Sequence, residues 1–306
     1  MSAAELEAPR PLAEPGDTDT VTFAWADARA EIYGLARLAR GTAADGSLEG
    51  SSLAVVFAGR EPMYALVRGG GAVAPEAGWD DLALEGLAAA IETPLELWTL
   101  RGDGATSFAL TFEAAGPPAE LDPAAPAAVA GGMAGYEQLC RVEGSARIGG
   151  RERPVRGLGQ RSRAWGNPDW DRIALTRSLG IWAPGGDGLT LTAVRPARAR
   201  SHAEEATWAA LLGPAGAQEI AEPRLSTTSY ADGRLVRAGL ELWVAADEGL
   251  PRRAAGEALT GSTLDLGALR LDCAFFRWYL DGREGVGRYD VLRHAGGLTT
   301  GSPERT

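Results

Sequence analysis

The 306-residue chain is long enough for two domains, and its 45% apolar content suffices to bury a full core. All thirty basic residues are arginine, so no lysine exists to form a Schiff base, grip a phosphate loop or act as a base; pyridoxal, P-loop and kinase chemistries are excluded. A net charge of −11 and a pI near 4.9 argue against a phosphate backbone as partner, so no nucleic-acid binding and no polybasic membrane contact are expected.

Residues 1–18 are acidic and rich in Pro and Ala, and read as a disordered tail. They have neither a basic start nor an apolar run, so no signal peptide is expected. No stretch approaches the length of a membrane span, so no transmembrane segment is expected either, and the cytoplasm is the expected compartment. From Thr20 the pattern is β. Val21, Phe23 and Trp25 share one face at period two, and strands follow at 31–40, 52–58 and 63–68, with Gly69–Gly71 read as a turn. Residues 80–92 fit either period. Residues 95–101 and 106–113 form a hairpin whose second arm turns Phe108, Leu110 and Phe112 one way. Residues 114–132 have almost no β-branched residues and read as a long surface loop.

A strand from Tyr136 to Ile148 then turns at Gly149-Gly150 into a return strand, 153–165. Beyond Pro168 come further hairpins: 172–182 with 189–194, 218–230 with 234–244, and 269–280 with 283–293. Between the second and third of these, 264–267 is a lead-in, and 206–212 is ambiguous. Roughly eight strands precede Pro168 and roughly eight follow. Antiparallel hairpins in that number close barrels, so the expected fold class is all-β: two consecutive lipocalin-like antiparallel barrels with few short helices. The expected boundaries are 19–167 and 168–296, with a tail at 297–306.

The densest chemistry lies in Gly157-Leu-Gly-Gln-Arg-Ser-Arg-Ala-Trp-Gly166 and the following Asn167-Pro-Asp-Trp170. Alternation puts Gly157, Gly159, Arg161, Arg163 and Trp165 on one face, leaving a hollow beside two arginines. Either a mostly apolar ligand is anchored there, or the arginines form an Arg–Trp–carboxylate ladder pinning the two barrels together. Trp165 and Trp170 flank a proline turn and suit the plug of a barrel end. Asp169 and Asp171 are the nearest acids, and Glu137 starts the preceding strand, within reach of Arg161 or Arg163. Each of the three is a candidate general acid, and each has a blander role as turn residue or ion-pair partner. His202 and His294 have no metal-ligand spacing, so no metal site is expected. Cys140 and Cys273 read as two buried free thiols. Asp281–Gly287 reads as a hairpin turn in which Arg283 or Glu284 is available for binding.

These residues resemble the signature of the tandem lipocalin-like superfamily that includes carotenoid 1,2-hydratases (hydroxyneurosporene synthases), AttH-like proteins and survival-factor-type proteins. That signature runs Gly-x-Gly-x-Arg-Asp-His-Ser-Trp-Gly with a Trp soon after. Gly157, Gly159, Arg161, Trp165, Gly166 and Trp170 match it, with Tyr136, Glu137 and Gln138 upstream and Asp281-Gly-Arg-x-Gly-x-Gly287 as the last hairpin. The Asp-His-Ser positions are Ser162, Arg163 and Ala164 here. An arginine cannot act as an acid near neutrality, so hydratase chemistry is weakened and ligand binding favoured. The resemblance implies binding of a hydrophobic small molecule, lipid or isoprenoid-like, in a barrel or at the barrel interface. The expected ligand-contacting set is Tyr136, Gly157, Gly159, Arg161, Arg163, Trp165 and Trp170. No cofactor is implied, and no oligomeric state. A cofactor-free hydratase or cyclase that protonates a terpenoid alkene, and a purely structural protein, are the alternatives.

Overall fold

Strands whose two faces are both covered dominate the chain. The computed structural model describes residues 2–244 and 250–296. Helix α1 (Ala3–Glu7) precedes β1 (Thr18–Asp27), β2 (Ile32–Thr42), β3 (Leu48–Ala58) and β4 (Glu61–Ala72). Next come β5 (Leu82–Leu84), β6 (Leu87–Thr93), β7 (Leu97–Gly102), β8 (Ser107–Ala114) and β9 (Ala119–Leu121). Helix α2 (Pro126–Gly131), β10 (Met133–Ile148) and β11 (Arg151–Gly166) complete the first sheet. The second sheet holds β12 (Ile173–Ala183), β13 (Asp187–Pro196), β14 (Ala206–Gly213), β15 (Gly216–Glu219), β16 (Glu222–Ser229), β17 (Leu235–Trp243), β18 (Arg252–Leu266), β19 (Leu269–Leu280) and β20 (Arg283–His294).

Both sheets are antiparallel, each curls into a barrel or half-barrel, and the two share one plan. A meander runs outward from the first strand, and the remainder of the chain returns so that the last strand pairs with the first: β1 with β11, β12 with β20. The expected all-β tandem-barrel class therefore holds, with eleven and nine strands among the described residues where the sequence suggested about eight and eight. The additions have local causes. Residues 80–92 form the β5–β6 hairpin. Residues 114–132, read as a loop, supply β9 and α2, whose Ala127 and Ala128 are buried. Gly69–Gly71 lie within β4 and not in a turn. Residues 252–263 of β18 are polar and alanine-rich and carry no clean alternation. The expected tail at 297–306 lies outside the described residues.

Three apolar clusters organise the molecule. One fills the first barrel with Phe23, Trp25, Trp79, Trp98, Phe108 and Phe112. One fills the second with Leu189, Phe276, Trp278 and Tyr289. The third lies between the barrels, where Ala24, Leu35, Val55 and Phe57 from the outer face of the first meet Trp182, Trp208, Leu271 and Phe275 of the second. In β1, Phe23 and Trp25 turn into the barrel while Ala24 and Ala26 turn toward the partner barrel.

The first residues are not a disordered tail. α1 begins with a capping box at Ser2 and Glu5, and it seats Leu6 and Glu7 in the first barrel, each 2% exposed. The Glu7 carboxylate accepts from Arg161 Nη1 (2.5 Å), Trp98 Nε1 (2.9 Å) and Tyr136 OH (2.8 Å), and from the Leu95 amide (3.1 Å). Burial opposes its charge, but the Arg161 guanidinium and these donors outweigh that and hold Glu7 below its ordinary value.

Glu7→Ala strands Arg161 without its carboxylate and should lower stability by about 3–5 kcal/mol in chemical denaturation. The parent's share of this stability is present above the ordinary glutamate pKa and is lost as pH falls through the depressed folded value. Acid denaturation should therefore be steeper in the parent than in Glu7→Gln; parallel profiles would contradict the assignment.

Candidate functional site

The register of the strands builds the site before any side chain is considered. Glu137 on β10 pairs with Ser162 on β11, Ser162 with Thr22 on β1, Thr22 with Arg37 on β2, Arg37 with Leu53 on β3, and Leu53 with Val67 on β4. Cross-strand partners project to the same side, so these six form one row across the outer face of the first barrel. On the second barrel, Asp290 pairs with Ser178, Ser178 with Thr192 and Thr192 with Trp208, while a neighbouring row holds Leu292, Thr176 and Val194. The rows line opposite walls of a cavity of about 750 Å³ between the barrels, with Ala127, Pro168 and Trp170 contributing from the connecting segments.

Of the seven charged residues that line the cavity, Arg68, Asp265 and Arg163 among them, four matter most here: Arg37, Glu137, Arg288 and Asp290. Arg288 Nη1 donates to Asp290 Oδ2 at 2.9 Å, and its Nη2 lies 3.6 Å from Glu137 Oε2. Burial pushes the Glu137 carboxyl up to about 6, against the pull of Arg288 and the hydrogen bonds from Gln160 and Ser162. Burial likewise lifts Asp290 to about 6 despite Arg288. Burial and then the like charge of Arg288 lower Arg37.

Gln160 ties the barrels together beside this cluster. Its Nε2 donates to Glu137 Oε2 (2.5 Å) and Thr190 Oγ1 (3.2 Å), and its Oε1 accepts from Trp182 Nε1 (2.9 Å) across the interface. Gly180 makes the approach possible, since a Cβ there would overlap Gln160 Oε1.

The motif residues singled out from sequence divide by face. Gly157, Gly159, Arg161, Arg163 and Trp165 belong to the inner face, and of these Arg163 alone is among the residues that line the cavity. The glycine hollows hold protein: a Cβ at Gly157 would strike the Ala26 carbonyl, and one at Gly159 would meet the Ala24 carbonyl, Val142 and Phe112. Arg161 binds Glu7, Tyr136 and Gln138. Arg163 binds Asp19 Oδ1 (2.5 Å) and the Glu7 carbonyl (2.6 Å). An Arg–Trp–carboxylate ladder therefore exists, but it pins the N-terminal segment inside the first barrel instead of joining the two barrels. Tyr136 and Arg163 line the cavity, but their polar ends are held by Glu7 and Asp19. Trp165 stacks under Arg10, whose guanidinium carbon lies 4.0 Å from the ring centre. Trp170 lines the cavity and meets His294 edge-on.

Of the three candidate acids, Glu137 lies in the cavity. It shares the face of Ser162, so its cation is Arg288 and not Arg161 or Arg163. Asp169 and Asp171 are exposed in the turn, where Asp169 Oδ1 accepts from the Asp171 amide. Arg283 and Glu284 are also exposed, paired with Asp187 and Arg277. Sequence reasoning missed Arg37, Gln160, Ser162, Arg288 and Asp290. The first lies in an ordinary-looking strand. The next two are the other face of the same motif, and the last two follow the Gly285-x-Gly287 step of the closing hairpin. Among the described residues, no group of three or more His, Cys, Asp or Glu could hold a metal ion. No helix among them is long and apolar enough to cross a membrane. Cys140 and Cys273 are free and buried.

The family described as Domain of unknown function (DUF7064) matches residues 3–295. No curated protein matches the chain. Among solved structures, an AttH-like protein (NE1406) from Nitrosomonas europaea superposes with a TM-score of 0.68 at 14% identity, covering 90% of this chain and 92% of that one. Kievitone hydratase from Nectria haematococca gives 0.60 at 12% identity over 95% and 94%. CghA gives 0.63 alone and 0.62 with Sch210972, each at 14% identity over 92% and 89%. The shared fold is that of lipocalin-like tandem-barrel proteins, as the motif resemblance implied; at these identities the likeness extends to the fold alone.

Two measurements test the site's construction. Gly180→Ala should displace Gln160 and lower the unfolding midpoint, whereas the same change at exposed Gly69, where a Cβ meets nothing within 4 Å, should do so much less. Glu137 and Asp290 have raised folded values, so their share of stability is present below the ordinary carboxylate range and is lost as pH rises through about 6. A Glu137→Gln, Asp290→Asn double variant should lose less stability than the parent between pH 5 and pH 7.

Proposed function

This chain belongs to the DUF7064 family, and we propose that it binds a hydrophobic small molecule, lipid or isoprenoid-like, in the cavity between its two barrels. The observation that carries this reading is the cavity itself. Its volume of about 750 Å³ lies in the usual range for small-molecule sites. Leu35, Leu53, Val67, Val194, Trp208, Leu271 and Leu292 supply apolar wall, and a few convergent hydroxyl and charged groups supply orientation. The barrel interiors are packed with aromatic side chains, which favours the interface over a barrel lumen. A cytoplasmic location is part of the proposal, and two free thiols fit it.

One observation favours a second reading, cofactor-free hydration of an alkene. Glu137 stands in the cavity wall with its carboxyl raised to about 6, where a general acid near neutrality needs it. Glu137 would give its proton to an alkene carbon. Water would add to the resulting cation, and the proton it sheds would return to the Glu137 carboxylate. Ser162 and Gln160 hold the carboxyl in place. The hydratase of the same fold supports keeping this chemistry in view.

A polarity-sensitive apolar fluorophore should bind the parent saturably, and Thr176→Trp, which fills the cavity from one wall, should weaken that binding at least tenfold without unfolding the protein. Equal binding by both would refute the site. If the protein hydrates an isoprenoid alkene, Glu137→Gln should abolish turnover while leaving fluorophore affinity within about threefold; retained turnover would remove Glu137 as the acid.

A further inference from the structure

Arginine is the sole basic side chain type in this protein besides two histidines, and its use in the interior follows a rule. Among the described residues six arginines are buried: Arg40, Arg161, Arg163, Arg177, Arg288 and Arg293. Each has a carboxylate oxygen within 4 Å. This is the expected state, because a guanidinium removed from water needs a counter-charge. Arg37 departs from the rule. It is half-buried in the cavity wall and, among the described residues, it makes no hydrogen bond and no ion pair.

The acids near Arg37 are engaged mainly by Arg288. Asp290 gives its Oδ2 to Arg288 at 2.9 Å; its Oδ1 has no hydrogen-bond partner, and its charge favours that of Arg37 without forming an ion pair with it. Glu137 is hydrogen-bonded by Gln160 and faces Arg288. Register places Arg37 and Glu137 three strand spacings apart, about 14 Å at the usual separation of neighbouring strands, so Glu137 cannot serve as its partner. Within that row, Thr22 and Ser162 stand between them and the apolar Leu53 stands beside Arg37. A flat five-donor fork is thus left free in a largely apolar chamber, and its shape matches a carboxylate or a similarly delocalised oxyanion.

We propose that the ligand of this cavity is an organic anion: an apolar body ending in a carboxylate or enolate-type oxyanion that docks on Arg37. This rests on the cavity being the binding site and adds the chemical class of what it binds. Arg37 then acts as the specificity determinant, and the apolar rows receive the rest of the molecule.

The test compares a long-chain fluorescent fatty acid with its methyl ester, titrated into the parent and into Arg37→Gln at a pH where the acid is ionised. The parent should bind the acid at least tenfold more tightly than the ester. Arg37→Gln should lose that preference while keeping the parent's ester affinity, which also shows that the variant is folded. Equal affinities for acid and ester in the parent would overturn the anion proposal while leaving cavity binding intact, as would an undiminished preference in Arg37→Gln. Binding of neither probe would overturn both.

Discussion

A guanidinium inside a β-barrel must meet a carboxylate, and much of this structure follows from that requirement. In the first barrel, Arg161 and Arg163 point inward from β11, and the strands provide Asp19 but not a second acid close enough. Glu7 answers the deficit from outside the sheet, carried in by α1. The second barrel solves the same problem in the same way. Arg177 lies on the first strand near Tyr289 on the last, and its carboxylate, Glu205, comes from the turn before β14 at 3.0 Å. In each barrel a buried arginine and tyrosine draw an acid from a non-strand segment into the interior.

That arrangement decides where open space remains. With Glu7 and Leu6 seated and Trp25, Trp79 and Trp98 packed behind them, the first lumen is committed to structure. The space that remains accessible lies between the outer faces, where two curved sheets touch along the Phe57–Phe275 and Leu139–Trp182 region and diverge beyond it. Gln160 and the Gly180 notch mark the edge of contact. Past that edge the rows turn from apolar packing to hydroxyls and charge. The buried ion cluster there is not a cheap way to hold two barrels together, since charges at an interface cost desolvation that apolar packing avoids. Its position beside open volume gives it a chemical reason to exist.

Much of the fold was legible in the chain because strand alternation is a local property. Val21-Thr-Phe-Ala-Trp25, the Phe108–Phe112 arm and the closing 269–293 hairpin are readable from side-chain order alone. Strands buried on both faces, such as β14, or poor in β-branched residues, such as β18, blur that signal. For α1 the signal is absent: five residues of acidic, alanine-rich chain bury two side chains only because a distant Arg161 requires one of them.

By itself the sequence determined the class of fold, the motif strand and the division of that strand into two faces, because period two is written residue by residue. Only the tertiary structure decided which face borders the open cavity. Gly157, Arg161 and Arg163 carry the conspicuous chemistry, yet they serve the barrel interior. Ser162 and Glu137 reach the cavity, Gln160 holds Glu137 from beside it, and Arg37, Arg288 and Asp290 join the wall from strands remote in sequence. The physical reason is that a sheet with both faces covered gives no local sign of which cover is solid and which is hollow. That depends on how two barrels pack, and no short stretch of chain records it.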